Sequence, residues 1–238
     1  MTTQIELGGI VIDVTRRDIK NVHLSVHPPN GAVRLSAPLR MSLDTIRLFA
    51  IDKLAWIRQQ QRTMRAQERE TPREFVDRES HYVWGKRYLL TVIEEDTAPS
   101  VRLRHSRLQL HVRPGADLAA REAVLAAWYR QQIKDAVPPL LNTWAPRIGV
   151  TVSGFYVQQM RTRWGSSNPA AGTIRLNTEL AKKPRECLEY IVVHEVLHLL
   201  EPTHGARFVA LMEQHMPEWR GRRELLNRLP VRHERWGY

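Results

Sequence analysis

Apolar and polar positions alternate along the first forty residues and then change period. Ile10-Val11-Ile12 with Val14 reads as one short strand, Val22 to Val26 as a second, and Ala32 to Leu35 as a third. Pro28-Pro29-Asn30-Gly31 separates the last two, which predicts a β-hairpin because Pro fixes φ and Asn-Gly tolerates positive φ. After Pro38, Ser42 can cap a helix whose apolar stripe is Leu43, Ile46, Ala50, Leu54 and Ile57, running to about Arg65. Residues 66 to 80 are charged and lack a period, so a linker is expected there.

Tyr82 to Ile93 and Val101 to Val112 read as two further strands, punctuated by Glu94-Glu95-Asp96 and Pro99. Asp117 can cap a long helix from Leu118 to about Ala136, ended by Pro138-Pro139, with a second helical stretch from Leu140 to Ile148. Val150 to Met160 is strand-like. A segment at Arg161 to Ser167, a loop at Asn168 to Gly172 and a strand at Thr173 to Asn177 follow. Pro184 opens a helix that runs through Leu200 and stops near Pro202, and Gly205 to His215 forms the next one. No internal repeat is visible. The expected class is α+β: a β-rich region with one helix over residues 1–112, then a domain over 113–238 with a small antiparallel sheet and a buried helix.

A chain of 238 residues that is 42% hydrophobic can bury a core. Its single cysteine, Cys187, cannot form an internal disulfide and is read as a small buried hydrophobe rather than a ligand. The first residues lack a secretory signal, and the densest apolar run, Tyr190 to Leu200, is too short to span a bilayer. A cytoplasmic protein without membrane association is therefore expected. The net charge of +11, mostly arginine spread along the chain, fits a nucleic-acid or nucleotide partner as well as plain solubility, so charge alone names no substrate.

The chemistry lies in that apolar run. His194-Glu195-Val196-Leu197-His198 places two imidazoles at i and i+4 on one helix face, where both can bind one zinc ion, while Glu195 projects from an adjacent face as general base toward a zinc-bound water. Leaving three such groups buried without a partner would cost about 1–3 kcal/mol each, which disfavours chance placement on a core helix. A catalytic site needs a third ligand. His204, six residues after His198 and beyond the break at Pro202, is preferred, with Glu213 and Glu218 as the competing candidates. The usual glycine of the three-histidine pattern is replaced by Glu201, so the turn must differ. His23, His27, His81, His105, His111, His215 and His233 are read as surface or partly buried residues.

Around these residues the sequence resembles the YgjP-like metallopeptidase family, relatives of the SprT and Wss-type zinc proteases. The likeness is carried by Arg163-Trp164-Gly165-Ser166, Ile174 to Asn177, Tyr190 to Val193 before the first histidine, and His204-Gly205 followed by Phe208. It extends to Arg16-Arg17, Trp56-Ile57, Gly85 and Tyr88-Leu89-Leu90, nearly the whole chain. Ser167 stands where the family usually has cysteine, which removes a cysteine-based role there. The resemblance implies a zincin-like domain whose strand after Trp-Gly-Ser forms the upper rim of a cleft. An extended peptide would pair with that rim, and Arg161, Arg163, Trp164 and Asn177 would bind substrate.

Three functions follow as expectations. The first is a zinc metallopeptidase acting on a protein or peptide. The second is a metal-dependent pyrophosphohydrolase of nucleotides such as UTP, an activity the resemblance also suggests although no Gly-rich phosphate cradle is present. The third is a zinc-containing nucleic-acid-binding or regulatory protein, against which the intact Glu195 argues, since a structural metal site needs no base.

Overall fold

The computed structural model describes residues 2–27, 31–66, 73–160 and 163–229. The chain is α+β and divides into two compact units, the second spanning Thr71–Leu229. The division therefore lies well before the boundary expected after residue 112, because the second pair of strand segments buries its apolar face with the C-terminal helices.

The first unit is a four-stranded sheet covered by two helices. Strands β1 (Thr2–Leu7), β2 (Ile10–Arg17), β3 (His23–His27) and β4 (Ala32–Pro38) lie in the order β1-β2-β4-β3. β2 runs parallel to β4, and the two outer pairings are antiparallel. Within the strand runs read from sequence, Ile10, Ile12, Val14, Val33 and Leu35 are buried in the core. Where one helix was expected there are two, α1 (Leu43–Asp52) and α2 (Leu54–Ala66). They are separated by Lys53, whose N–H is shared between the carbonyls of Phe49 and Ala50. The stripe continues across this hitch, because Ile46, Ala50 and Ile57 are all buried. Ser42 caps α1 as expected, its side chain accepting from the Thr45 N–H at 3.2 Å. The turn residues Pro28, Pro29 and Asn30 lie outside the described residues.

The second unit opens with the same topology. Each expected long strand is in fact two: β5 (Ser80–Val83) and β6 (Lys86–Glu94), then β7 (Ser100–Arg104) and β8 (Arg107–Val112). Their order is β5-β6-β8-β7, again with a parallel central pair and antiparallel flanks. The repeat extends to detail. Both opening hairpins turn on two residues at positive φ, Gly8-Gly9 and Trp84-Gly85, and Val33, Leu35 and Ala37 are matched by buried Leu108, Leu110 and Val112. In each copy a side-chain cap follows, Ser42 in one and Asp117 in the other. Only the pattern recurs, not the residues, so the sequence hid it. The described part of the expected linker is also structured: Phe75 is buried, and Glu79 accepts the N–H groups of Glu74 and Phe75 at 2.8 and 2.7 Å.

Beyond Asp117 a single helix, α3 (Leu118–Ile148), runs through Pro138 and Pro139, where a break was expected. Proline removes a helix hydrogen bond. Here the buried stripe Leu125, Tyr129, Ile133, Val137, Trp144 and Ile148 continues along one face and offsets that loss. Strands β9 (Gly154–Gln158), β10 (Gly165–Asn168) and β11 (Thr173–Asn177) form a mixed sheet in the order β10-β11-β9, not the antiparallel one anticipated, since β9 and β11 are parallel. A 3-10 turn at Thr178–Lys182 leads into α4 (Arg185–Leu197), followed by α5 (Ala206–His215) and an unanticipated α6 (Trp219–Arg228). Among the described residues no helix is long and apolar enough to cross a membrane.

The start of α4 is anchored by the β5–β6 hairpin. The N–H groups of Trp84 and Gly85 donate to the carbonyls of Ala181 and Lys182 at 2.8 and 3.2 Å. Gly85 is required twice over: its φ is +76°, and a Cβ would lie 2.8 Å from Pro184. The Arg185 guanidinium stacks on Trp84, 4.3 Å from the ring centre.

Candidate metal centre

α4 is buried on nearly every side. Cys187, Leu188, Ile191, Val192, Val193, Val196 and Leu197 fill the core, and His194, Glu195 and His198 are the polar interruptions. α3 fixes the helix from one direction, through the Trp144 indole N–H to Glu189 at 3.0 Å, and α6 from another, through Arg222 to the same carboxylate at 2.6 Å. The regular helix ends at Leu197. His198 to Leu200 tighten into turns, and the chain reverses so that His204 returns to the pair.

The three Nε2 atoms form a triangle. His194 to His198 is 3.2 Å, His198 to His204 is 3.0 Å and His194 to His204 is 3.0 Å. His198 Nδ1 lies 2.9 Å from the Glu201 carbonyl, which can only accept, so the proton is on Nδ1 and Nε2 offers a lone pair. Hydrogen bonds among neutral rings cannot satisfy this triangle. Once His194 and His204 each aim an N–H at His198, the remaining edge sets two N–H groups against each other. A cation bound by three lone pairs resolves all three edges, so the donor set fits zinc, which accepts imidazole nitrogens. Protonation of His194 and His204 is disfavoured. Burial, then the nearby His198, His204 and Arg223, pushes His194 down to about 3, and burial followed by His198 and Arg223 also lowers His204.

Phe208 supports the triangle from beneath. Its ring stacks on His198 with centres 4.5 Å apart at 23°, and meets His194 and His204 edge-on at 4.9 Å. Tyr190, one turn before His194, packs edge-on against that ring at 5.8 Å. Neither role was assigned from sequence, although both aromatics sit one helical turn from a histidine.

Glu195 is 5% exposed and lies outside the triangle. Burial pushes its carboxyl up to about 8, against the opposing pull of Arg163. β10 packs against it. A Cβ on Gly165 would lie 2.6 Å from Glu195 Oε1 and 2.7 Å from its Cγ. Gly165 is therefore glycine for space rather than for backbone freedom.

Glu213 and Glu218, the alternative third ligands, are engaged elsewhere. Glu213 pairs with Arg220 and accepts from Trp219, and Glu218 pairs with Arg222 at 2.7 Å. Asn177, expected to bind substrate, is 4% exposed and spent within the protein. Its amide donates to the carbonyls of Met160 and Arg163 at 2.9 and 2.8 Å, and its oxygen accepts from the N–H groups of Met160 and Glu179. It shapes the approach to β10 and leaves nothing for a ligand. β11, expected as the rim, has both edges paired, and among the described residues β10 has one unpaired edge and packs beside α4. Arg163 is exposed, Trp164 is partly packed into the core with Lys183 5.9 Å from its ring centre, and Arg161 lies outside the described residues.

The family model for the YgjP-like, metallopeptidase domain matches residues 20–229. The chain belongs to that family. No curated protein matches this YgjP-like chain. Among solved structures it is similar to the metallopeptidase zymogen jannalysin of Methanocaldococcus jannaschii, with 23% identity over 40% of this chain and 92% of that one and a TM-score of 0.33. It is also similar to the zymogen abylysin of Pyrococcus abyssi, with 18% identity over 42% and 98% and a TM-score of 0.32.

Proposed function

We propose that this YgjP-like protein is a zincin-like zinc metallopeptidase in which His194, His198 and His204 hold the ion and Glu195 is the general base. The observation that carries the reading is the Nε2 triangle beside a buried, uncoordinated carboxylate. Zinc there would acidify a water, polarise the scissile carbonyl and, as a positive charge, favour the ionised form of Glu195.

Glu195 takes a proton from the attacking water and returns it to the leaving amide nitrogen, which departs only once protonated. Burial raises the carboxyl's affinity for a proton and the zinc charge would lower it, and a carboxyl balanced in this way suits both directions. The His198–Glu201 carbonyl hydrogen bond fixes one ring plane, and Phe208 fixes the spacing of all three. An extended protein or peptide substrate adds to the free edge of β10 and so runs beside α4, with main-chain hydrogen bonds supplying affinity independent of sequence.

The test sets zinc-loaded parent and Glu195→Gln side by side on an unfolded protein, a peptide mixture and a nucleotide panel including UTP. The parent cleaves peptide bonds, the variant binds equal zinc and cleaves nothing, and the nucleotides stay intact. Peptide cleavage retained by Glu195→Gln overturns the assigned base, and turnover of nucleotides alone overturns the substrate class.

A further inference from the structure

The two opening hairpins share a frame but not its side chains. Their turns align through the pairs Leu7–Ile10 and Val83–Lys86, so Gly8 corresponds to Trp84, Ile10 to Lys86 and Ile12 to Tyr88. The first copy shows that this turn needs neither an aromatic nor a cation. In the second, Trp84 takes a φ of 49°, a conformation that glycine adopts freely and a bulky side chain resists. The indole is therefore kept against backbone strain. It packs at the edge of the core and carries the Arg185 guanidinium on its face, 4.3 Å from the ring centre.

These side chains line a groove of about 470 Å³ between the β5–β6 hairpin and the start of α4, a size within the range of ligand pockets. Half-buried Trp84, Tyr88 and Pro184 give it an apolar wall, and exposed Lys86 and Arg185 give it two cations. Among the described residues neither cation forms an ion pair. Stacking on Trp84 occupies the face of the Arg185 guanidinium and leaves its N–H edge for a carboxylate. The Trp84 indole N–H is buried and meets no acceptor among the described residues, so the walls hold more donors than acceptors. Glu186 is the one acidic side chain among them. Arg185 precedes His194 by nine residues on α4, about 13 Å along the helix axis, so the groove is a second site and not part of the metal centre.

We propose that this groove docks an acidic peptide segment of another protein, with Lys86 and Arg185 binding its carboxylates over the Trp84–Tyr88 wall. An apolar wall beside two unspent cations fits a ligand that is apolar and anionic within one short stretch. A phenylalanine or leucine flanked by Asp or Glu has that chemistry: its side chain lies on the aromatic wall, and its carboxylates meet the guanidinium edge and the ammonium. A nucleic-acid strand fits less well, because it carries a phosphate at every residue and Glu186 repels each one, whereas a peptide can turn a main-chain N–H toward that carboxylate. The proposal does not depend on the peptidase reading.

Binding to the full chain tests this, in the Glu195→Gln background so that the probe stays intact. The protein is titrated with a fluorescent peptide carrying one Phe between pairs of Glu, with its Gln-for-Glu and Ala-for-Phe counterparts, and with a labelled single-stranded oligonucleotide, all read by anisotropy. The Glu–Phe peptide binds more tightly than the Gln peptide by roughly tenfold, as expected of two partly exposed charge pairs, and the margin shrinks in high salt. Replacing Phe weakens binding roughly fivefold. Lys86→Glu with Arg185→Glu abolishes the preference for Glu over Gln, Lys86→Arg with Arg185→Lys keeps most of it, and Lys86→Glu alone, which leaves the Trp84 stack in place, removes about half of it on a logarithmic scale. Each variant is compared at unchanged Tm. The proposal is overturned if the acidic peptide does not bind, if the Gln peptide binds equally, or if Lys86→Glu leaves the preference unmoved. It is equally overturned if the oligonucleotide binds more tightly than the peptide and loses that binding in the charge-reversed protein. Peptide cleavage by the parent is measured separately, so neither result decides the other.

Discussion

Gly165→Ala is the smallest change that reaches the base without touching a metal ligand. The added methyl would sit 2.6 Å from Glu195 Oε1, 2.7 Å from Cγ and 2.9 Å from Cδ, against an ordinary contact of 3.4 Å or more, so the carboxylate must retreat by about 0.8 Å. Glu195 is buried and hemmed in by core residues of α4, so the shift cannot be absorbed by swinging into water. Misplacing a reacting group by about 1 Å costs on the order of a hundredfold in rate. Overpacking of this kind costs about 1–3 kcal/mol in stability. The expected outcome is a fall of about a hundredfold in kcat/KM for peptide cleavage and a Tm lower by several degrees. Zinc stoichiometry stays at the parent value, because the three atoms nearest the added methyl all belong to Glu195 and none to a histidine ring. The assay is steady-state cleavage of a quenched peptide with zinc measured on the same samples. Activity within threefold of the parent would refute the claim that Gly165 sets the position of Glu195.

Two further outcomes follow from the ionisation of buried groups. In metal-free protein the raised Glu195 carboxyl favours its neutral form, so stability falls as pH rises from about 4.5 toward 8, by up to about 3 kcal/mol at pH 7. The depressed His194 acts oppositely, giving stability that is lost as pH falls from 6.5 toward 3. Glu195→Gln removes only the first effect. Thermal melts of the two metal-free proteins should therefore differ most at pH 8, with the variant more stable, and converge by pH 5; parallel profiles would contradict the burial argument. Cys187, pushed up to about 11 by burial, holds about one part in ten thousand thiolate at pH 7. It should resist maleimide in the folded protein and react stoichiometrically in denaturant, and rapid labelling of folded protein would show that the helix opens.

The three-histidine cluster was legible because its signal is local. Spacing of i and i+4 fixes two rings on one helix face whatever surrounds them, and six residues with a proline suffice to return a third. The strand runs were likewise readable, and Ile12, Val33, Leu35, Leu108 and Leu110 within them are buried. What escaped depends on distant packing. Nothing in His105-Ser106 announces a turn, yet His105 takes φ of 52° and splits one strand run in two. Pro138-Pro139 reads as a stop, and only the apolar stripe shared with α4 and the sheet carries α3 through it. Strand order cannot be read from a strand's own residues, so β11 was taken for a rim although both its edges are paired, and Asn177 for a contact although its amide is engaged within the protein.

The central claim is that three imidazoles converge on one cation, and elemental analysis of the purified protein beside His204→Ala addresses it most directly. The account predicts one zinc per parent chain surviving dialysis, and loss of most of it from the variant under the same conditions with the fold intact by circular dichroism. A parent that takes up no zinc, or a variant that retains it as tightly as the parent, would contradict it.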